Sequence, residues 1–189
     1  MSLLVIVTGH SGTGKTSFSR RLAAELNLLC LNKDDIKERL ADELGVADRE
    51  ESQKVGRATY AILDFLIEEH LKIGQSFIVE SNFGAGFYTP KVRAWSKKYS
   101  CTVLQVLLKA DPEVLLERVK NRIDTGERHP AHMETSDITS GKFRTLLSDG
   151  RIQPIQAGEL IELDTTNFSE IDASLKEVVA RCKLLLSAI

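Results

Sequence analysis

Five short apolar runs alternate along the chain with longer segments in which apolar residues recur at helical spacing. The runs at 3–7 and 102–108 are nearly continuous, which is typical of parallel strands covered on both faces. The runs at 28–31, 77–80 and 160–163 are shorter but are also rich in strand-forming residues. The pattern therefore predicts five strands with helices between them.

The order of these segments predicts how the elements are arranged. Strands that alternate with helices imply right-handed crossovers and a doubly wound parallel sheet, with ligands beyond the carboxyl ends of the strands. Residues 123–141 are polar and rich in turn-forming residues. Because a strand and a helix follow them, we predict a lid rather than a linker. Within it, His129 and His132 are expected to be solvated rather than zinc ligands, since no third ligand is evident.

Composition and charge narrow the class of protein. A chain of 189 residues fits one domain over 1–189 and can build a substantial core without disulfides. The net charge of -2 argues against broad attraction to polyanions or membrane surfaces. The three cysteines form no C-x-x-C pair, and no run of ~20 apolar residues occurs. We therefore expect a cytoplasmic protein with no membrane segment and with a local anion site.

The strongest motif directly follows the first predicted strand. The segment GHSGTGKT satisfies G-x-x-x-x-G-K-[ST] and leads into a helix, which is the context of a phosphate-binding P-loop. Its glycines permit positive φ, and the helix N-terminus adds a partial positive charge. Lys15 would bridge the β- and γ-phosphates of ATP, and Thr16 would place its hydroxyl on Mg²⁺. The residues predicted to contact the nucleotide here are Gly9, His10, Ser11, Gly12, Thr13, Gly14, Lys15, Thr16 and Ser17, with His10 as a variable loop position.

The segment LNKDDIKERL allows two interpretations. Its N-K-x-D pattern is the one by which GTPases recognise guanine, but in GTPases it follows a late strand, whereas here Asn32 comes soon after Lys15. We therefore favour an acceptor site, in which Asp34 accepts a hydrogen bond from a substrate hydroxyl and orients or deprotonates it. Alternatively, Asp34 and Asp35 cap the following helix, and one aspartate can cap while its neighbour faces the cleft.

Together, VTGHSGTGKTSFSRRL and LNKDDIKERL resemble the P-loop kinases of the polynucleotide-kinase and zeta-toxin-like group (AAA_33-like). In that group a Walker A loop is followed by a strand ending in D-x-x-R. The resemblance implies an α/β P-loop NTPase fold with strand order 2-3-1-4-5, and Asp34 as the acceptor-side aspartate. Lys37 stands where the family usually has arginine, and lysine lacks the bidentate fork that arginine offers to a phosphate. Asp35 is the second candidate for the base.

The segment LLKADPEVLLERVKNR resembles the strand, D-P turn and helix that lead into the lid of these kinases. Arg118 and Arg122 are four residues apart and share one helix face, and Arg128 follows in the loop. In relatives such arginines close over the triphosphate and stabilise the transferring phosphoryl group. We assign this role to Arg122 and Arg128, and assign Arg118 to nucleotide binding. Surface pairing with neighbouring acids is the alternative.

Two further segments complete the predicted site. Glu80 ends the third strand, where it could reach Mg²⁺ through water or hydrogen-bond the acceptor together with Asn82. The segment LDTTNF resembles the one that lines the adenine side in related kinases. Asp164 and Thr165 are therefore expected near the base, although local capping explains them as well.

The acceptor is predicted from charge rather than from a motif. A small-molecule hydroxyl suits the near-neutral chain, so we predict an ATP- and Mg²⁺-dependent phosphotransferase for such a substrate. A nucleic-acid 5′-hydroxyl would need local basic contacts. A regulatory ATPase or nucleotide-dependent binding module is the alternative of another class. The candidate basic cluster for nucleic acid, which we prefer to interpret as a solvated helix face, is Lys91, Arg93, Lys97 and Lys98.

Overall fold

The computed structural model describes residues 1–133, 138–139, 141–148 and 152–189. Five parallel strands form one sheet in the order β2-β3-β1-β4-β5, which confirms the predicted fold class and strand order. The strands are β1 (Leu3–Gly9), β2 (Leu29–Asn32), β3 (Phe77–Glu80), β4 (Thr102–Lys109) and β5 (Glu159–Asp164).

Helices cover both faces of the sheet, as a doubly wound arrangement requires. The helices are α1 (Lys15–Leu26), α2 (Lys33–Leu44), α3 (Arg49–Lys72), α4 (Ala85–Tyr99), α5 (Pro112–Asp124), α6 (Lys142–Ser148) and α7 (Ile171–Ser187). Two short 3-10 turns, at Pro130–His132 and Phe168–Glu170, lie before α6 and α7. Among the described residues, no helix combines the length and the apolar character that crossing a membrane requires.

Strand β1 contributes to two hydrophobic cores at once. Leu3, Val5 and Val7 pack on one side of the sheet against residues of α1 and α7. Leu4 and Ile6 pack on the other side against residues of α3 and α4. All seven residues of β1 are buried, because the strand lies at the centre of the sheet and is covered on both faces. This burial explains the uninterrupted apolar run at 3–7.

The register of the strands gathers polar side chains at the carboxyl edge of the sheet. Val7, which precedes the P-loop, pairs with Glu80 at the end of β3. Glu80 in turn pairs with Asn32 at the end of β2. The three strand ends therefore place the P-loop, Glu80 and the start of α2 next to one another.

The predicted lid at 123–141 is described only in part. Its first two residues end α5, and Pro130–His132 form a 3-10 turn. Residues 134–137 and 140 of the predicted lid lie outside the described residues.

Two glycines with the same backbone conformation should respond differently to substitution. Gly158 and Gly126 have φ values of 76° and 71°, so alanine at either position costs about 1 kcal/mol of backbone strain. At Gly158 a Cβ would also overlap the backbone of Val103 in β4, whereas at Gly126 it would meet nothing within 4 Å. We expect Gly158→Ala to lower the free energy of unfolding by about 3 kcal/mol and Gly126→Ala by about 1 kcal/mol, measured by urea denaturation. Equal losses in the free energy of unfolding would contradict the close contact inferred between Gly158 and Val103.

Candidate active site

The P-loop joins β1 to α1 and forms the nucleotide side of the site. Gly12 and Gly14 adopt φ values of 89° and 82°, which the motif requires and which favour glycine. The hydroxyl of Thr13 donates to the carbonyl of His10 (2.9 Å), which fixes the curve of the loop. Helix α1 begins directly after Gly14, so the N–H groups of its first turn face the loop, where anions bind. Ser17 is exposed on the first turn.

Glu80 connects the P-loop to strands β2 and β3. One of its carboxylate oxygens accepts hydrogen bonds from the Thr16 hydroxyl (2.9 Å) and the Asn32 amide (2.6 Å). Its other oxygen lies 4.0 Å from Lys15 Nζ. Glu80 is only 2% exposed, and burial raises the pKa of its carboxyl while the Lys15 charge opposes that shift. Burial likewise lowers the pKa of Lys15. Thr16 and Glu80, the two residues predicted to bind Mg²⁺, are therefore in direct contact.

The start of α2 sets the direction of the two aspartates. The Asn32 side chain caps the helix by accepting from the backbone N–H groups of Asp34 (2.8 Å) and Asp35 (3.3 Å). The cap is therefore Asn32 rather than either aspartate. Asp35 accepts two hydrogen bonds from Arg20 (2.8 and 2.9 Å) on the half-exposed outer surface. The structure does not bring Asp35, the second candidate for the base, into the cavity.

Asp34 lies among cations beside the P-loop. Lys33 Nζ donates to one of its oxygens (2.9 Å), and both Nη atoms of Arg128 donate to the other (3.2 Å each). Burial acts to raise the pKa of Asp34, but the charges of Lys33 and Arg128 outweigh it and hold that pKa well below the usual range. Asp34 is therefore an ionised acceptor of hydrogen bonds at neutral pH.

The prediction that the two lid histidines are solvated is wrong for His132, whereas His129 is half-buried. The side chain of His132 is 5% exposed, and its Nε2 atom lies 2.8 Å from Glu38 Oε1. His129 contacts Asp42 on the same helix, with 3.0 Å between Nε2 and Oδ1. Burial lowers the pKa of His132 to about 3, so its ring is neutral at neutral pH. These contacts hold the 3-10 turn against α2. The H-x-x-H spacing in the sequence did not indicate this packing.

Lys37 is buried where three elements meet. Its Nζ atom donates to the Ser52 hydroxyl on α3 (2.8 Å), which in turn donates to the carbonyl of Ala131 in the 3-10 turn (2.6 Å). Lys37 follows Asp34 by three residues on α2, and both line the same cavity. The structure therefore brings Lys37 beside Asp34, as its prediction as a substrate residue requires.

The three predicted arginines make different contacts around the P-loop. Arg122 donates to the hydroxyl of Ser11 in the P-loop (2.9 Å), and Arg128 pairs with Asp34. Arg118 donates to the carbonyl of Thr166 (2.9 Å) and lies 3.8 Å from the centre of the Phe168 ring. Arg122 therefore contacts the P-loop and Arg128 contacts α2. Arg118 contacts both the P-loop, at the carbonyl of Gly12 (3.4 Å), and the chain beyond β5.

Phe168, which the sequence analysis did not single out, faces the P-loop. A Cβ placed on Gly14 would lie 2.9 Å from its ring, so this glycine allows the ring and the loop to meet. Of the two residues predicted near the base, Thr165 is buried, and its hydroxyl donates to the carbonyl of Lys109 in β4 (3.0 Å). Asp164 is exposed and accepts from the N–H of Thr166 (2.8 Å), as a local turn requires.

A cavity of about 690 Å³ opens beside the P-loop. Asp34 and Arg128 line it next to His10 and Ser11, and Asn82 lines it at the end of β3. A further wall is built from aromatic and apolar side chains, namely Tyr60, Phe87, Tyr88, Phe143, Leu146 and Leu147.

The aromatic wall comes partly from the segment after β3. Phe83 is buried in the core, whereas Phe87 and Tyr88 face the cavity. The Tyr88 hydroxyl donates to Asp64 on α3 (3.0 Å), and Lys91 pairs with the same carboxylate. Asp64 therefore anchors this part of the cavity wall to α3.

Comparison with known proteins places the chain in a family. The model of the AAA_33 family, an AAA domain, matches residues 4–146. A comparison with curated proteins found no match. Among solved structures, a proposed kinase from Chloroflexus aurantiacus J-10-fl is 38% identical, with a TM-score of 0.84, covering 94% of this chain and 96% of that chain.

Two other solved structures share the fold at lower identity. A gluconokinase from Sinorhizobium meliloti 1021 is 17% identical (TM-score 0.59), covering 97% of this chain and 94% of its own. A sugar kinase from Janibacter sp. HTCC2649 is 18% identical (TM-score 0.57), covering 99% and 95%. The family match spans most of the chain and confirms the resemblance seen in the motifs. The chain belongs to the AAA_33 family and is, in fold and motifs, a P-loop kinase.

Proposed function

We propose that this P-loop kinase transfers the γ-phosphoryl group of ATP to a hydroxyl group of a small molecule. The position of Asp34 carries the proposal. An ionised carboxylate lines the same cavity as P-loop residues His10 and Ser11. A hydroxyl bound there would donate to Asp34 and present its oxygen toward the γ-phosphate, the geometry that phosphoryl transfer needs.

The residues around the P-loop suit a bound nucleotide. Gly12 and Gly14 leave no room for a Cβ without crowding their neighbours, and backbone N–H groups face the loop. Lys15 and Arg122, both at the loop, would hold the phosphates and the charge that develops on the transferred group. Arg118 and Phe168 form a flat cationic and aromatic surface that suits the adenine base.

Thr16 and Glu80 fit a magnesium ion. A hydroxyl and a carboxylate are the oxygen donors that Mg²⁺ prefers, and here they already touch. When bound, the ion would supply neutralisation of charge on the β- and γ-phosphates. Glu80 also accepts from Asn32, so its carboxylate stays oriented toward the loop.

The contacts of the basic residues on α4 favour a small acceptor over a nucleic acid. Three members of the basic cluster considered for nucleic acid contact protein groups: Lys91 pairs with Asp64, Arg93 donates to the Gln156 carbonyl (2.7 Å), and Lys98 pairs with Glu68. The cluster therefore offers no continuous basic strip along α4. The solved gluconokinase and sugar kinase share this fold, which makes polyhydroxy compounds the first acceptors to test.

An assay of ATP consumption with Mg²⁺ against a panel of alcohols tests the proposal. The panel contains sugars, sugar acids, aminoglycosides, nucleosides and a 5′-hydroxyl oligonucleotide, and mass spectrometry identifies the phosphorylated product. We expect stimulation by one small-molecule class. Phosphorylation of the oligonucleotide alone would favour the nucleic-acid alternative. Slow hydrolysis that no alcohol changes would favour the regulatory ATPase.

A further inference from the structure

Lys33 is the first residue of α2, and its position conflicts with the electrostatics of a helix. The amino end of a helix carries partial positive charge, so a cation in the first turn is disfavoured. A surface lysine can reduce this cost by extending its ammonium into water. The side chain of Lys33 instead is only 14% exposed and lines the acceptor cavity. Such departures from local preference are concentrated at functional sites.

The contacts of the Lys33 ammonium explain its inward position. Its Nζ atom donates to Asp34 Oδ1 at 2.9 Å and lies over the Tyr60 ring, 5.6 Å from the ring centre. A cation in this position is attracted to the aromatic face. Tyr60 belongs to α3, and its hydroxyl lies 2.9 Å from the hydroxyl of Ser81, directly after β3. Lys33 is therefore held between the carboxylate of its neighbour and a ring from another helix.

Two cations contact different oxygens of Asp34. Lys33 contacts Oδ1, whereas both Nη atoms of Arg128 contact Oδ2 at 3.2 Å. Lys33 shares α2 with Asp34, but Arg128 belongs to the segment between α5 and the 3-10 turn. Arg128 is predicted to stabilise the transferring phosphoryl group, and in that role it would release Oδ2. Lys33 would keep its contact with Oδ1, because both residues belong to the same helical turn.

We infer that Lys33, held by the ring of Tyr60, is a positioning residue that fixes the Asp34 carboxylate through Oδ1 and leaves Oδ2 to accept the hydrogen bond of the reacting hydroxyl. This role rests on the proposed function, in which Asp34 orients that hydroxyl. A small misplacement of a reacting group lowers the rate of transfer strongly. Because Lys33 acts through Asp34, its loss should lower kcat and leave KM almost unchanged.

Substitution of Lys33 tests this role by kinetics with the acceptor found in the panel. We expect Lys33→Met to lower kcat about thirtyfold, with the KM of the acceptor and the Kd of the nucleotide within about threefold of the wild type. Lys33→Arg keeps a cation that can pair with a carboxylate and pack on a ring, and it should recover most of kcat. The control is Lys54→Met on α3, where Lys54 pairs with Glu50 on the exposed surface, and it should match the wild type.

The pH dependence of kcat is a readout that a purely structural role would not change. Burial raises the pKa of the Asp34 carboxyl, and the charge of Lys33 lowers it. Loss of Lys33 should therefore raise this pKa, so that the carboxylate is protonated at a higher pH and the acidic limb of kcat moves to higher pH. Lys33→Arg and Lys54→Met should keep the wild-type limb. The other ionisable groups that interact with Asp34 remain in every variant, and they are Lys15, Glu38, Tyr60, Glu80, Arg128 and His132.

Tyr60→Leu tests whether the ring acts through Lys33. We expect Tyr60→Leu to lower kcat about threefold in the wild type, and to cause no further loss in Lys33→Met, because the cation that the ring holds is then absent. Tm is measured for each variant, and Lys33→Gln, which also removes the charge, replaces Lys33→Met if the latter does not fold.

Three results would overturn the role of Lys33 while leaving the kinase function intact. These are wild-type kcat in Lys33→Met, a loss confined to KM, and equal losses from Tyr60→Leu in both backgrounds. If the wild type itself transfers phosphate to no alcohol, the kinase function is wrong, and the role of Lys33 is wrong with it.

Discussion

Asp34→Asn is expected to reduce phosphoryl transfer about a thousandfold while leaving nucleotide binding within about twofold of the wild type. Asparagine keeps the shape of the side chain but lacks the negative charge that would accept the hydrogen bond of the reacting hydroxyl. The carboxylate lines the acceptor cavity and contacts Lys33 and Arg128, none of which belongs to the P-loop. The measurement is single-turnover transfer to the acceptor found in the panel, together with nucleotide titration by calorimetry.

Asp35→Asn is the matched control for this prediction. It removes the same charge from the next residue, but Asp35 pairs with Arg20 on the outer surface of α2. Transfer by Asp35→Asn should stay close to the wild type, because an exposed ion pair contributes little to stability. If Asp34→Asn instead lost nucleotide binding, Asp34 would belong to the metal site or to the fold. If it kept full transfer, the base would have to be sought elsewhere in the cavity.

Lys15→Met is expected to lower transfer by a factor of about a hundred to a thousand and also to weaken nucleotide binding. Methionine preserves most of the aliphatic length of the side chain and removes the charge. In the structure the ammonium lies 3.3 Å from the carbonyl of His10 and 4.0 Å from Glu80, at the mouth of the loop. The variant would lose the contacts of the Lys15 ammonium with the β- and γ-phosphates. These contacts are expected both in the nucleotide complex and during transfer, so both should weaken.

Arg20→Met is the control on the same helix. Arg20 lies on the exposed face of α1 and contacts Asp35, so its removal tests loss of charge without loss of a loop contact. Transfer and nucleotide binding should both stay near wild-type values for this variant. Equal losses in Lys15→Met and Arg20→Met would mean that the charge of α1 as a whole, rather than the position of Lys15, supports catalysis.

The fold could be predicted because its signals are contiguous in the chain. The uninterrupted apolar run of β1 reflects burial on both faces, and the alternation of strands and helices limits the topology. Boundaries were less accurate. The second strand was predicted at 28–31 but spans Leu29–Asn32. The difference matters because it makes Asn32 the cap of α2.

The site could be predicted best where a recognisable motif lies within one segment. The P-loop and the neighbourhood of Asp34 belong to single segments with known spacing. The contact between Arg118 and Phe168 joins parts of the chain that are far apart, and no local pattern pairs them. The burial of His132 depends on packing against Glu38, which appears only once the 3-10 turn meets α2. The second cavity, of about 360 Å³, is likewise lined by residues of α2, α3 and the 3-10 turn.

The central position of β1 has a consequence for how the protein is made. Strand β1 is synthesised before its two partners, because Leu4 pairs with Phe77 and Leu3 pairs with Thr102. The apolar residues of β1 therefore stay without one strand partner until residue 77 is synthesised, and without the other until residue 102 is synthesised. Non-local parallel strands of this kind pair slowly, and apolar surface prone to aggregation stays exposed until they do. Because the phosphate loop directly follows β1, we expect its fixed shape to depend on the same late strand pairing.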